Sequence, residues 1–364
     1  LKVLHYKSNF LNASETFIKR LIVNHRSVHP VAMCFKKQSL TNICATDAVP
    51  KGLSSVVDTV CFHLNWCLPF YTKTIMQHQP DIIHAHFGYD GYRMIKPSQK
   101  TNIPLVVSFY GSDVTRLPNE FDWKRRYRNL AEMGNAFIAV SELMKNKLIE
   151  LGFPEEKITV VRFGIDLNTF HFNSTYSSEN RLMMVGRMVE KKGFEYALEA
   201  VKILKDQGHS YAIDLYGDGI LKPKLQEKAK KWGISHLVHF YGHKYIKTIR
   251  NEYQKHSLLL VPSVTASDGD QEGIPNTLLE GMASGIPVVA TRHSAIPEVL
   301  THRENGLLVD EKDASQLAEM ISCIIENKVD ISSMREKART HIEKHYTIDR
   351  MVTKVENVYQ HLIA

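Results

Sequence analysis

Short runs of apolar residues recur along this chain, and many are apolar at consecutive positions instead of alternating with polar ones. In the first half they are LKVLHY (1–6), HPVAMCF (29–35), DIIHAHF (81–87), PLVVSFY (104–110), AFIAVS (136–141) and ITVVRFG (158–164). In the second half they are RLMMVGR (181–187), YAIDLYG (211–217), LVHFYG (237–242), SLLLVPS (257–263), IPVVAT (286–291) and NGLLVD (305–310). Consecutive apolar positions suit strands buried on both faces of a parallel sheet. Helix-like segments separate the runs, which predicts doubly wound α/β units. The polar stretch HFNSTYSSEN (171–180) falls between the two strand series and reads as a linker. The pattern therefore predicts two Rossmann-like domains, residues 1–170 and 171–345, facing a central cleft. A last helix, about 346–364, is expected to pack back on the first domain. Ligands of such sheets sit beyond the carboxyl ends of the strands.

The chain's 364 residues are enough for two cores, and 43% hydrophobic with 23% charged residues is ordinary globular composition. No apolar run reaches the ~18 residues of a membrane-spanning helix. The opening LKVLHYKSNF reads as a strand and not as a signal peptide. Five cysteines without a Cys-x-x-Cys pair suggest core thiols in a reducing cytoplasm. Charge changes the picture more. Residues 1–170 hold 21 Lys+Arg against 14 Asp+Glu, and the remainder holds 25 against 25, so the net +7 lies wholly in the first half. Such a half suits an anionic partner: a membrane surface, a phosphorylated acceptor or nucleic acid.

The richest chemistry is in SDGDQEGIPNTLLEGMASGIPVVAT (267–291). Asp268 and Asp270 form an Asp-x-Asp pair of a kind that can hold a divalent metal, or an ordinary polar turn. Glu272 and Glu280 stand eight positions apart. The segment from 275 reads as a helix, with Pro275 suited to its first turn and Gly285 to the residue just past its end. Its N-terminus offers free N–H groups and a positive dipole end to a phosphate. Carboxylates are acceptor-only, which suits polyols, so Glu272 and Glu280 fit sugar or ribose hydroxyls. Each taken alone fits a solvated position equally well. Arg187 and Lys192 flank a turn at a strand end, either as an exposed basic turn or as a grip on a diphosphate. Gly217 and Gly219 end another strand, a weak sign of close backbone approach to a ligand.

These segments, with GRMVEKKG, YGDG, YGH and NGLLV in order, resemble the retaining glycosyltransferases of family 4, which have the GT-B fold. The resemblance implies a donor site in which Glu280 binds the nucleotide ribose, Glu272 contacts the transferred sugar, and Arg187 and Lys192 meet the diphosphate. It adds Gly217, Tyr241, Gly242 and His243 near the nucleotide, and Gly273, Ile274, Asn276 and Thr277 at the helix N-terminus. In the first half, SETFI brings Ser14 and Glu15 to a loop over the donor phosphate. DIIHAHFGYDG brings His86 near the transferred sugar, with His84 on the same side of the strand by alternation. FYGSDV keeps Asp113 but has Tyr110 where the family has histidine, and RFGID has Phe163 where it has asparagine. The family works without an essential metal or cofactor, so no metal site is expected at Asp268 and Asp270.

The implied function is retaining transfer of a hexose from a nucleotide diphosphate sugar, UDP favoured over GDP, to an acceptor hydroxyl. Similarity to exopolysaccharide, colanic-acid and capsule transferases implies a lipid-linked acceptor in surface polysaccharide biosynthesis. FHLNWCLPFY (62–71) is aromatic-rich, and FDWKRRYRNL (121–130) concentrates Lys124, Arg125, Arg126 and Arg128 among aromatics. These stretches suit either a surface meeting anionic lipid at the inner face of the membrane, or a core helix and a solvated helix face respectively. No nucleic-acid motif accompanies them. An epimerase of nucleotide sugars shares the architecture, and a non-enzymatic carbohydrate-binding protein is the other alternative. A dehydrogenase is disfavoured, because the turn after the first strand has no glycine.

Overall fold

The computed structural model describes residues 1–10, 15–34, 36–37, 45–47, 69–175, 177 and 179–364. Ser14, most of 62–71 and two linker positions lie outside these residues. The chain divides into two units, Leu1–Gly164 with Ile348–Ala364, and Ile165–Thr347. The division thus falls at 164/165, earlier than the linker position at 171, because Ile165 belongs to the second unit. Its N–H bonds the Tyr346 carbonyl at 2.7 Å, so the chain enters and leaves that unit at one place.

In the first unit the strands are β1 (Lys2–Tyr6), β2 (Asn9–Phe10), β3 (His29–Cys34), β4 (Lys36–Lys37), β5 (Ala45–Asp47), β6 (Ile82–His86), β7 (Leu105–Phe109), β8 (Ala136–Ala139) and β9 (Ile158–Val160). Seven form one sheet in the order β5-β3-β1-β6-β7-β8-β9, with parallel pairings throughout. β2 and β4 pair separately. β6, β7 and β8 are buried at every position, as the consecutive apolar runs require. The final helix, Ile348–Ile363, seats Val352, Val355 and Tyr359 on Val3, Ile82 and Val106 of the sheet. That i, i+3, i+7 spacing places one apolar stripe on the core.

The second unit holds β10 (Arg181–Val185), β11 (Ala212–Tyr216), β12 (Val238–Gly242), β13 (Leu258–Val261), β14 (Val288–Thr291) and β15 (Leu307–Val309). They form a parallel sheet in the order β12-β11-β10-β13-β14-β15. The order reverses at β10, so the crevice between β10 and β13 at the carboxyl edge is the place such sheets offer a ligand. Leu182, Leu215, Leu258 and Val289 join Phe194, Leu198 and Ile321 in one core. Asp313 and Asp330 cap the helices Ala314–Ile325 and Ile331–His345 by accepting backbone N–H groups.

Candidate functional site

The second unit assembles most of the candidate donor residues at the carboxyl ends of β10 and β13. β10 leads into Arg187 and a 3-10 turn at Glu190–Lys192. Gly193 then adopts φ 69°, and a side chain there would overlap the Pro262 carbonyl oxygen after β13, at 1.7 Å. Only glycine lets these two strand ends come so close. Gly217 plays the same part beside Gly186, with φ 136° and a carbonyl oxygen 1.9 Å from where a Cβ would stand.

Past β13, the acidic loop is folded by lysines. Lys191 is buried and reaches Asp270 at 3.0 Å and Glu272 at 3.5 Å. Lys192 reaches the other Glu272 oxygen at 3.1 Å. Lys192, expected to meet the diphosphate, has its ammonium paired with Glu272 in this structure. Burial by itself would raise the Glu272 pKa, but the Lys192 and Lys191 charges outweigh it and hold the carboxylate at about 2. Asp270 is paired with Lys191, and Asp268 is exposed and accepts the Asp270 N–H at 3.0 Å. The Asp-x-Asp pair is thus bound up in an ion pair and a turn. Arg187 is exposed, and among the described residues its side chain forms no hydrogen bond or ion pair.

The helix Asn276–Ser284 begins with Pro275 at its cap, one position earlier than the first-turn placement read from the sequence, and ends on Gly285 at φ 81° as the sequence suggests. The N–H groups of Asn276 and Thr277 precede the first intrahelical bond, from Leu278 to Pro275. Among the described residues, the buried Asn276 side-chain oxygen has no hydrogen-bond partner, as a group that awaits a ligand would be. Gly273 and Ile274 are buried beside it, and Glu280 is buried inside the helix with the Tyr253 hydroxyl 3.5 Å away. A merely solvated Glu280 is thereby ruled out. On β12, Tyr241 stacks on Tyr216, and its hydroxyl accepts from the Arg181 guanidinium at 3.3 Å. Gly242 and the exposed His243 follow at the carboxyl edge.

Two residues of this site escaped the sequence reading. Lys191 stands next to Lys192, and nothing local in the sequence separates the roles of the two. His293 lies just past β14, and its Nε2 accepts the Glu272 N–H at 3.1 Å. Its Nδ1–H must then donate to Glu311, 2.6 Å away. Burial lowers its pKa, which keeps the ring neutral for this role. The only signal was a histidine immediately beyond a strand.

In the first unit, the carboxyl ends of β1, β6 and β7 bring a second set together. His84 and His86 project to the same side, with ring centroids 4.5 Å apart, as alternation requires. Both are fully buried. His84 bonds the Tyr359 hydroxyl and Ser108. His86 bonds His5 at 3.1 Å and Tyr110 at 2.7 Å. His86, expected near the transferred sugar, has both ring nitrogens engaged, one with His5 and the other with the half-buried Tyr110. Ring nitrogens of His5, His84 and His86 come within 4.8 Å of one another, and every ring nitrogen of the three is engaged in a hydrogen bond, His5 also with His25. Asp113 is buried and accepts the N–H groups of Tyr110, Gly111 and Gly88. It ties two strand ends together.

Phe87, directly after His86, has φ 76° and ψ 146°, a conformation only glycine adopts readily. Such strain is characteristic of functional sites. Lys7, at the end of β1 and missed in sequence, is buried over the Phe87 ring at 4.8 Å, with Asp90 at 3.6 Å and Glu15 at 3.8 Å. Glu15 thus lies at this strand-end cluster. On the helix Trp123–Met133, Lys124, Arg125 and Arg128 are exposed, but Trp123 and Tyr127 are core residues. Arg126 lies over the Trp123 and Tyr92 rings, and Asp122 pairs with Arg125 and Arg126. Of the aromatics in this stretch only Phe121 is exposed, at 96%.

Comparison with known proteins gives the site its context. Residues 168–344 match the family described as glycosyl transferases group 1, and residues 53–169 match Glycosyltransferase Family 4. The chain belongs to the family 4 glycosyltransferases. It is 34% identical over 273 residues to the amylovoran biosynthesis glycosyltransferase AmsK of Erwinia amylovora, covering 73% of this chain and 66% of that protein. It is 32% identical over 271 residues to WcaL of Escherichia coli, a glycosyltransferase named for colanic acid biosynthesis, covering 73% and 67%. The chain thus spans about two thirds of the length of these relatives. Among solved structures, Anabaena HepE in complex with UDP-glucose superposes with a TM-score of 0.79 at 18% identity, covering 99% of both chains. A sucrose-phosphate synthase from Thermosynechococcus elongatus gives 0.79 at 14% identity, covering 100% of this chain and 99% of that one. These likenesses establish the GT-B fold. Among the described residues, no helix is long and apolar enough to cross a membrane.

Proposed function

We propose that this glycosyltransferase moves a hexose from a nucleotide diphosphate sugar, UDP favoured over GDP, to a hydroxyl of a lipid-linked oligosaccharide during surface polysaccharide biosynthesis. Transfer proceeds with retention and without a metal ion or other cofactor. The observation that carries this reading is the ion-paired cluster of the half-buried Glu272 and Lys192 with the buried Lys191, beside the N-terminus of the helix that contains Glu280. Glu280 takes the ribose hydroxyls, and Glu272, held ionised, takes hydroxyls of the sugar. Arg187 and the N–H groups of Asn276 and Thr277 stabilise the diphosphate as it leaves, the task a metal performs elsewhere; one such contact is worth roughly 3 kcal/mol in the transition state. Bond cleavage runs ahead of attack, so the sugar carries oxocarbenium character. The departing phosphate receives the proton of the acceptor hydroxyl on the same face. The relatives' names for amylovoran and colanic acid biosynthesis support the acceptor class, and UDP-glucose in the HepE structure supports the donor class. The exposed Phe121, Lys124, Arg125 and Arg128 support docking on the inner face of the membrane.

The test is transfer from UDP- and GDP-hexoses to polyprenyl-diphosphate-linked sugars in excess EDTA, with the new linkage read by NMR. An α-linked product from an α-configured UDP-hexose is expected. An inverted linkage would overturn retention, and EDTA-killed activity restored by Mg²⁺ would overturn metal independence.

A further inference from the structure

Behind Tyr110, a line of hydrogen bonds crosses the first unit to the last helix. Tyr110 Oη lies 2.7 Å from His86 Nδ1, and His86 Nε2 lies 3.1 Å from His5 Nδ1. His5 Nε2 lies 3.2 Å from His25 Nε2, and His25 Nδ1 lies 3.0 Å from a Glu356 oxygen. These contacts use both ring nitrogens of all three histidines. Glu356 also accepts the Arg26 N–H and the Ser27 hydroxyl, so it acts as an acceptor toward every neighbour. Burial lowers the pKa of His25, His5 and His86, so the rings are neutral and each has one donor and one acceptor nitrogen.

With those constraints only one arrangement of protons satisfies the line. A carboxylate can only accept, so His25 Nδ1–H donates to Glu356 and His25 Nε2 must accept. His5 Nε2–H then donates to His25, leaving His5 Nδ1 to accept from His86 Nε2–H. His86 Nδ1 is left as an acceptor, and the Tyr110 hydroxyl must donate to it. Every bond points the same way, toward Glu356.

We infer that Glu356, acting through His25, His5 and His86, is a positioning residue for the strand-end site. The carboxylate on the last helix sets the tautomer of each imidazole, and the last imidazole fixes the Tyr110 hydroxyl inward. The Tyr110 ring is thereby held at the carboxyl edge against Phe17 and Phe87, at centroid distances of 4.6 and 4.8 Å. It forms part of a rigid aromatic wall for the apolar face of the acceptor sugar. The role of this wall rests on the proposed transfer reaction, whereas the proton arrangement does not.

Histidine-selective ¹⁵N NMR reads the tautomers directly, with the His86 and His5 signals assigned by their loss in His86→Gln and His5→Gln. In the wild type, His86 and His5 are expected as Nε2–H tautomers and His25 as the Nδ1–H tautomer. His25→Phe removes the acceptor for His5 but leaves the Arg26 and Ser27 bonds of Glu356 intact. It is expected to switch His5 and, two links away, His86 to Nδ1–H. Turnover with a saccharide acceptor is expected to fall about tenfold, with binding of the nucleotide sugar unchanged. Glu356→Gln keeps an acceptor oxygen and should retain wild-type tautomers and turnover, whereas Glu356→Met should behave as His25→Phe. An Nδ1–H His86 in the wild type, an unchanged His86 tautomer in His25→Phe, or wild-type turnover in that variant would each overturn the inference. If the wild type transfers no sugar at all, the functional reading fails, while the tautomers still decide whether the line is set from Glu356.

Discussion

Lys192 Nζ stands 3.1 Å from a carboxylate oxygen of Glu272, whereas Arg187, five residues earlier in the same turn, is exposed with no such partner among the described residues. The two cations read alike in sequence but should respond differently to removal. Lys192→Ala leaves Glu272 with Lys191 alone at 3.5 Å, so it should cost about 1–3 kcal/mol of stability as well as activity. Arg187→Ala should leave the melting temperature unchanged and slow sugar transfer, by roughly 2–4 kcal/mol in the transition state. Thermal unfolding and kcat/KM for both variants check this. Equal melting temperatures for Lys192→Ala and wild type would mean that the ion pair does not hold the loop.

The strands and their parallel order were legible because runs such as LLLV and VVAT are buried at every position, and only a doubly covered sheet accepts that. The site was legible where local geometry dictates it, as with Gly285 past its helix. What was not legible is long-range pairing. Nothing in the sequence says that Lys191 closes on Asp270, 79 positions away, or that His5 meets His86, 81 positions away. Strand β5 was missed because Ala45–Asp47 is three residues long, too short for a periodicity to show.

The buried histidines should make the protein sensitive to mild acid. Burial pulls the His84 pKa down to about 3, and it lowers His5 and His86 well below the usual range, with neighbouring imidazoles adding to the effect. In the unfolded chain the same rings take up protons from about pH 6.5 downward. Unfolding therefore binds protons throughout this window, and stability present above pH 6.5 falls as the pH drops from there toward 3. The slope is about 1.4 kcal/mol per pH unit for each proton taken up. Urea midpoints measured from pH 7.5 to 5 should fall, and His84→Phe should show a shallower dependence on pH. Carboxylates such as Glu272, held at about 2, contribute only below the ordinary carboxylate range near pH 4.5, so the two effects are separable. A wild-type midpoint flat from pH 7.5 to 5 would count against buried neutral histidines.

The last prediction concerns the basic helix of the first unit. Arg126 is partly buried over the Trp123 and Tyr92 rings and paired with Asp122, so it belongs to the fold and should be left in place. Lys124, Arg125 and Arg128 are exposed, and Phe121 beside them presents its ring to solvent. Cations beside one exposed aromatic fit an interface with anionic lipid, because the charges are drawn to the surface potential while the ring enters the headgroup boundary. Replacing Lys124, Arg125 and Arg128 with Gln should weaken binding to phosphatidylserine- or cardiolipin-containing vesicles at least about tenfold. Phe121→Ser should weaken it further on the same vesicles, and raising the salt should release wild type, since exposed charges are screened beyond about 8 Å at physiological ionic strength. Vesicle co-sedimentation gives these values, and turnover of a short soluble acceptor gives the control. That turnover should stay near wild type if the helix serves only to dock the enzyme. Equal vesicle binding by wild type and the triple variant would reduce the stretch to a solvated helix face, and lost turnover of the soluble acceptor with folding intact would move these cations into the acceptor site.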